Sequence, residues 1–233
     1  MINIRDYMLL SPTAETIKDI YTKSSEFSKN FRNIYPKEHK AYLRHFLIDN
    51  VPFAFRESPM LFEQIKQYLA DKLEIDPTDI KLIGSAKTGF SLSPPPSYGI
   101  AFGDHSDLDF SIIQEDIFYT IETEFQLWVD LFNTSQIKPK NVREEYFWHN
   151  NVETGTRQIN GGFFDTHYIP NYDKFPTTKI INNSLSLIKI NLENNNHLKV
   201  TKVSARVYKN WETFIARLKL NTISVVKKIK KIE

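Results

Sequence analysis

The run Ser106-Asp107-Leu108-Asp109-Phe110-Ser111-Ile112-Ile113 constrains this chain more than any other segment. Read as a strand, it turns Asp107 and Asp109 to one face of a sheet and Leu108 and Phe110 to the other, because side chains alternate with period two. The apolar side belongs against a core, and two carboxylates are left side by side on the opposite face. Upstream, Ile80-Lys81-Leu82-Ile83 reads as a second short strand ending in Gly84-Ser85. Such a turn can bring backbone amides and a hydroxyl close to phosphates. Together the two segments point to a site where a carboxylate-bound divalent cation meets a nucleoside triphosphate.

The remaining sequence supplies mostly helices. Ile17, Ile20, Tyr21, Phe27, Phe31 and Ile34 recur at helical spacing over roughly 13–33, and Met60, Leu61, Ile65, Tyr68, Leu69 and Leu73 form a stripe ended by Asp76-Pro77. A third helix carries Ile117, Ile121, Phe125, Trp128, Val129 and Phe132, and another is expected from Val142 to His149. Residues 91–103, with Pro94, Pro95, Pro96 and two glycines, predict a loop acting as a lid or a substrate-contacting insertion. Gln158 to Ile169 reads as extended and Tyr172 to Leu198 as irregular. Val203, Val207, Trp211, Phe214, Ile215 and Leu218 predict a last helix with Arg206, Lys209 and Arg217 on its solvated side. This order predicts an α+β fold: a small mixed sheet with helices packed on it. The expected division is an N-terminal helical region over 1–76, a core over 77–171, and an irregular segment with a C-terminal helical region over 172–233.

Composition narrows the function classes. The 233 residues carry a formal net charge of +2, so bulk electrostatics demands no nucleic-acid partner. There is no cysteine, which excludes disulfide scaffolds, thiolate zinc sites and cysteine nucleophiles. No apolar run approaches the ~18 residues of a membrane span, and the N-terminus lacks a signal-peptide pattern. A cytoplasmic protein without a membrane partner is the expectation. The run Lys227-Lys228-Ile229-Lys230-Lys231 reads as a solvated tail.

Gly84-Ser85-Ala86-Lys87-Thr88-Gly89 has the two glycines of a Walker-type loop, but Phe90 and Ser91 follow where Lys and Ser/Thr are required. A P-loop is therefore set aside. Paired aspartates suit magnesium or manganese instead, since such ions take oxygen ligands from one or two carboxylates plus substrate phosphates. A third carboxylate on a neighbouring strand would complete a two-metal site. Asp165, in Phe163-Phe164-Asp165-Thr166, is the candidate, with Glu153 and Asp173 as fallbacks. His105 is read as a loop residue ahead of a nucleotide contact, His167 as a surface or core-satisfied histidine ahead of one lining the site, and Lys87 as a triphosphate contact or the start of a helix.

A strand ending in Gly84-Ser85, then Ser106-Asp107-Leu108-Asp109-Phe110, then a lone Asp165 resembles the DNA polymerase β-type nucleotidyltransferase superfamily over roughly Ile80 to Pro170. Phe164-Asp165-Thr166-His167-Tyr168-Ile169-Pro170 is similar to the third-carboxylate strand of its cyclic-oligonucleotide synthases. The resemblance implies that Gly84 and Ser85, with Lys87, hold the triphosphate, that Asp107 and Asp109 bind Mg²⁺ or Mn²⁺, and that Asp165 binds the catalytic metal and activates an attacking hydroxyl. It further implies transfer of a nucleoside monophosphate from an NTP to a nucleotide, nucleic-acid end or protein hydroxyl, in the manner of bacterial signalling, antiphage-defence or toxin–antitoxin enzymes. A nucleotide- or protein-binding module without catalysis is the alternative. The sequence departs from the family in one respect: 21 residues, 86–106, separate Ser85 from Asp107 where family members place the two motifs much closer.

Overall fold

A computed structural model describes residues 4–196 and 198–231. In chain order it forms α1 (Ile4–Met8), α2 (Pro12–Glu15), α3 (Ser24–Asn33), α4 (His39–Leu43), a π-helical turn (Arg44–Ile48), α5 (Pro59–Leu73), β1 (Ile80–Ile83), α6 (Ser85–Thr88), β2 (Leu108–Ile113), α7 (Glu115–Asn133), α8 (Val142–Asn160), β3 (Phe163–Asp165), α9 (Pro176–Asn195), β4 (Val203–Tyr208) and α10 (Trp211–Ile229). The fold is α+β, with a four-stranded mixed sheet in the order β1-β2-β4-β3. Strand β2 pairs antiparallel with β1 and parallel with β4, and β3 runs antiparallel to β4.

Period-two alternation along the strands builds two unlike faces. Leu108, Phe110 and Ile112 of β2, Ala205 and Val207 of β4, and Phe164 of β3 are buried in one apolar core. Helices α5, α7 and α9 cover that core through Leu69, Phe125, Trp128, Ile181 and Leu185. On the other face, Ile113, Tyr208 and Phe163 pack at one end of the sheet under Phe27, Phe46, Phe214 and Leu218 from α3, the π turn and α10. The other end of that face carries Asp109 and Ser204, paired in register on β2 and β4.

Several sequence expectations change. Residues 176–195 are a helix, with Ile181, Leu185, Ile188 and Leu192 buried along one stripe and Pro176 in its first turn. The segment 203–208 is a strand; the helix begins only at Trp211, after Asn210 accepts a hydrogen bond from the Thr213 amide at 2.9 Å. Valines four apart satisfy both periods, and the buried residues Ala205, Val207 and Tyr208 are those a sheet position selects. Because β4 lies between β2 and β3, the sheet is completed by residues beyond 77–171. Gln158 belongs to α8, which runs on to Asn160, so only Phe163–Asp165 of the expected extended stretch is strand. Lys227 and Lys228 lie in the last turn of α10. At the N-terminus, residues 13–33 hold the end of α2 and α3 instead of one helix. Among the described residues no helix is long and apolar enough to cross a membrane.

Candidate active site

Strand β1 ends in Gly84, whose φ of +73° and ψ of −156° lie in a region essentially reserved for glycine. A Cβ built there would meet Asp109 Oδ2 at 3.3 Å, so the turn and the carboxylate are in near contact. The Lys87 and Thr88 amides both donate to the Gly84 carbonyl, closing the tight turn on which Ser85 stands. A cleft of about 480 Å³ opens there, and Gly84, Ser85, Asp107 and Asp109 line it. The segment between the two motifs also lines it, through Ser91, Leu92 and His105, as does α10, through Leu218, Asn221 and Thr222. The insertion that separates the two motifs in sequence is thus part of the cleft, and His105 lines it too.

Among the described residues, one side chain hydrogen-bonds the Asp109 carboxylate. The Ser204 hydroxyl donates to Asp109 Oδ1 at 2.6 Å. Burial raises the Asp109 pKa above the ordinary carboxylate value, the Ser204 hydrogen bond opposes that rise, and the charge of Asp107 adds to it. Arg206 and Lys202 compensate in part. A carboxylate in this condition favours a positively charged partner. With the hydroxyls of Ser85 and Ser204 nearby, the donor set is all oxygen, which fits a hard divalent cation completed by phosphate oxygens.

Two of the expected site residues are not brought to this cleft. Asp165 does share the sheet face with Asp109, but β4 intervenes: Asp109 faces Ser204, whereas Asp165 faces Arg206 two residues further along. Its carboxylate accepts from Arg206 Nε at 2.7 Å and Nη2 at 2.8 Å, and from Gln158 Nε2 at 2.6 Å. Burial would raise the Asp165 pKa, but the Arg206 guanidinium and Gln158 outweigh it and hold the carboxyl below its usual range. Asp165 is therefore charge-compensated by its neighbours, and Ser204 occupies the strand position beside Asp109. Among the described residues no three His, Asp or Glu side chains converge as a metal site.

Lys87 turns away as well. Its ammonium donates to the carbonyls of Asp49 and, at 2.9 Å, Asn50, tying α6 to the end of the π turn. Burial lowers its pKa to about 8, with Asp49 opposing. The fallback carboxylates pair elsewhere, Glu153 with Arg157 and Asp173 with Lys179. Arg206, expected on a solvated helix face, is instead the partner of Asp165 within the sheet. Sequence reasoning missed Asn221 and Thr222, which line the cleft, and Ser204, which bonds Asp109 from β4. Nothing local marks them, since each enters through the packing of β4 and α10. No protein-family model, curated protein or solved structure matches this chain.

Proposed function

We propose that the cleft binds a nucleoside triphosphate together with Mg²⁺ or Mn²⁺ and transfers its nucleoside monophosphate to a hydroxyl acceptor. The observation that carries this reading is the near contact between the Gly84-Ser85 turn and Asp109, with Ser85, Asp107 and Asp109 lining the same cleft. Ser85 would hold the terminal phosphates, and Asp107 and Asp109 would hold the cation against them. The acceptor oxygen forms a bond to the α-phosphorus, the bond from that phosphorus to the bridging oxygen of the β-phosphate breaks, pyrophosphate leaves, and the acceptor's proton passes to solvent water. The cation, when bound, neutralises charge developing on the phosphate oxygens. The chain's own work is positioning: a rigid turn, a carboxylate oriented by Ser204, and an insertion and α10 that enclose the substrate.

A second reading, nucleotide binding without transfer, is favoured by one specific arrangement. Ser204 stands where a third carboxylate would have to stand, and Asp165 is already neutralised by Arg206. Incubation with each labelled NTP and Mg²⁺ or Mn²⁺ separates the two. Transfer predicts a covalent nucleotidyl product and pyrophosphate, both reduced at least 100-fold in Asp107→Ala/Asp109→Ala. Metal-dependent NTP binding with no product under any acceptor condition would leave only the binding module, and binding that survives the double substitution would remove both.

A further inference from the structure

The far edge of the sheet carries a second polar pocket, of about 340 Å³, lined by Thr154, Arg157, Gln158, Phe163, Arg206 and Arg217. Three guanidinium groups reach it from three elements: α8, β4 and α10. The guanidinium carbons of Arg206 and Arg217 lie 5.0 and 4.4 Å from the centre of the Phe163 ring, so both are gathered on one aromatic side chain. Their charges are answered very differently. Arg206 is matched by Asp165 in a two-pronged ion pair. Arg157 faces Glu153 at 3.6 Å with both side chains largely in solvent, where such a pair is screened and weak.

Arg217 has no such match. No carboxylate among the described residues pairs with it, and its Nε–H is buried without a hydrogen-bond partner. A buried donor left unsatisfied costs on the order of 1–3 kcal/mol, and more when the group is charged. The fold accepts that cost at the wall of a pocket that already holds an excess of positive charge. Planar guanidinium forks converging from separate elements suit an oxyanion with oxygens in several directions, as phosphate has. Arg217 also stands one turn before Asn221 on α10, about 6 Å along the helix axis, so the pocket neighbours the cleft without sharing its carboxylates.

We propose that this pocket is a phosphate-recognition site in which Arg217, assisted by Arg157, holds a phosphate group. That group arrives as free phosphate, on a mononucleotide, or on the 5′ end of a nucleic acid. The inference rests on the arginine geometry alone and stands whether or not the cleft catalyses transfer.

The test uses the full chain carrying Asp107→Ala/Asp109→Ala, in EDTA, so that cation-dependent binding in the cleft is removed. The Nε–Hε resonance of Arg217 is followed by NMR during titration with inorganic phosphate, AMP, and a short oligonucleotide with or without a 5′-phosphate. The expected result is a saturable shift with at least one phosphate-bearing ligand and none with the unphosphorylated oligonucleotide. Affinity should fall at least tenfold in Arg217→Gln and at least threefold in Arg157→Ala, read by calorimetry; the second substitution is at an exposed side chain and does not endanger the fold. The relative affinities of the three ligands identify the source of the phosphate. Absence of a saturable shift with all of them, or undiminished affinity in both variants, overturns the proposal.

Discussion

Asp109 and Asp165 are the same residue type on the same face of the same sheet, and the fold treats them in opposite ways. Asp165 is saturated by a guanidinium fork and a carboxamide. Asp109 has one hydroxyl for a partner and a second carboxylate nearby. Burial works against ionisation at both, yet one ends below and the other above the ordinary carboxylate range. The difference is the cation supplied, or withheld, by the neighbouring strand: Arg206 opposite Asp165, Ser204 opposite Asp109. A satisfied carboxylate contributes stability; an unsatisfied one lining a cleft is a place where a ligand can supply the missing charge.

The comparison is most severely tested at Asp165. Asp165→Asn leaves the Arg206 guanidinium, only partly exposed, without its counter-charge, and removing one member of such a pair costs about 3 kcal/mol. The sign with pH follows from the lowered folded-state pKa. The contribution is full above the unfolded pKa and is lost as pH falls through the folded value. Denaturant melts from neutral to acid pH should therefore show a large loss at neutral pH in the variant and a flatter acid limb. A variant as stable as the parent at neutral pH would mean that the ion pair is not the anchor of the β3 edge.

Gly84→Ala comes next, at about 2 kcal/mol, because it forces a left-handed backbone on an L residue. Its Cβ would also press on Asp109 Oδ2, so nucleotide affinity in Mg²⁺ should fall together with stability. Equal thermal stability with unchanged nucleotide affinity would break the link between the turn and the carboxylate.

The contrast between the two aspartates could not have been read from the chain. Gly84-Ser85 and Asp107-Leu108-Asp109 are local, so their joining in one cleft follows once β1 and β2 pair. The partners that decide the electrostatics come from β4, and its place between β2 and β3 is a matter of topology. That strand also hides in the sequence, since Val203, Val207 and Trp211 fall at helical intervals. Helix α9 hides for a different reason: its asparagines dilute the stripe Ile181, Leu185, Ile188 and Leu192, although the spacing and Pro176 mark it. Strongly periodic α5 and α7 offered no such ambiguity. Lys87 is adjacent to the Gly84-Ser85 turn in sequence, but the short α6 turns it toward the carbonyls of Asp49 and Asn50.

The smallest effect expected is the one with the reversed sign. Asp109 has a folded-state pKa above its unfolded value, so its ionised form weighs against folding at neutral pH, and that penalty is relieved as pH falls through the raised pKa. Asp109→Asn removes the charge and keeps the shape, with its side-chain oxygen still able to accept from Ser204. The ligand-free variant should be more stable than the parent at neutral pH by about 1 kcal/mol, as expected where a functional residue is held at a cost in stability. The gain should shrink toward acid pH, whereas the loss from Asp165→Asn shrinks there from the opposite side. If Asp109→Asn instead lowers neutral-pH stability, Asp109 is stabilised by its surroundings as Asp165 is, and the proposed cation site loses the unsatisfied charge it was argued from.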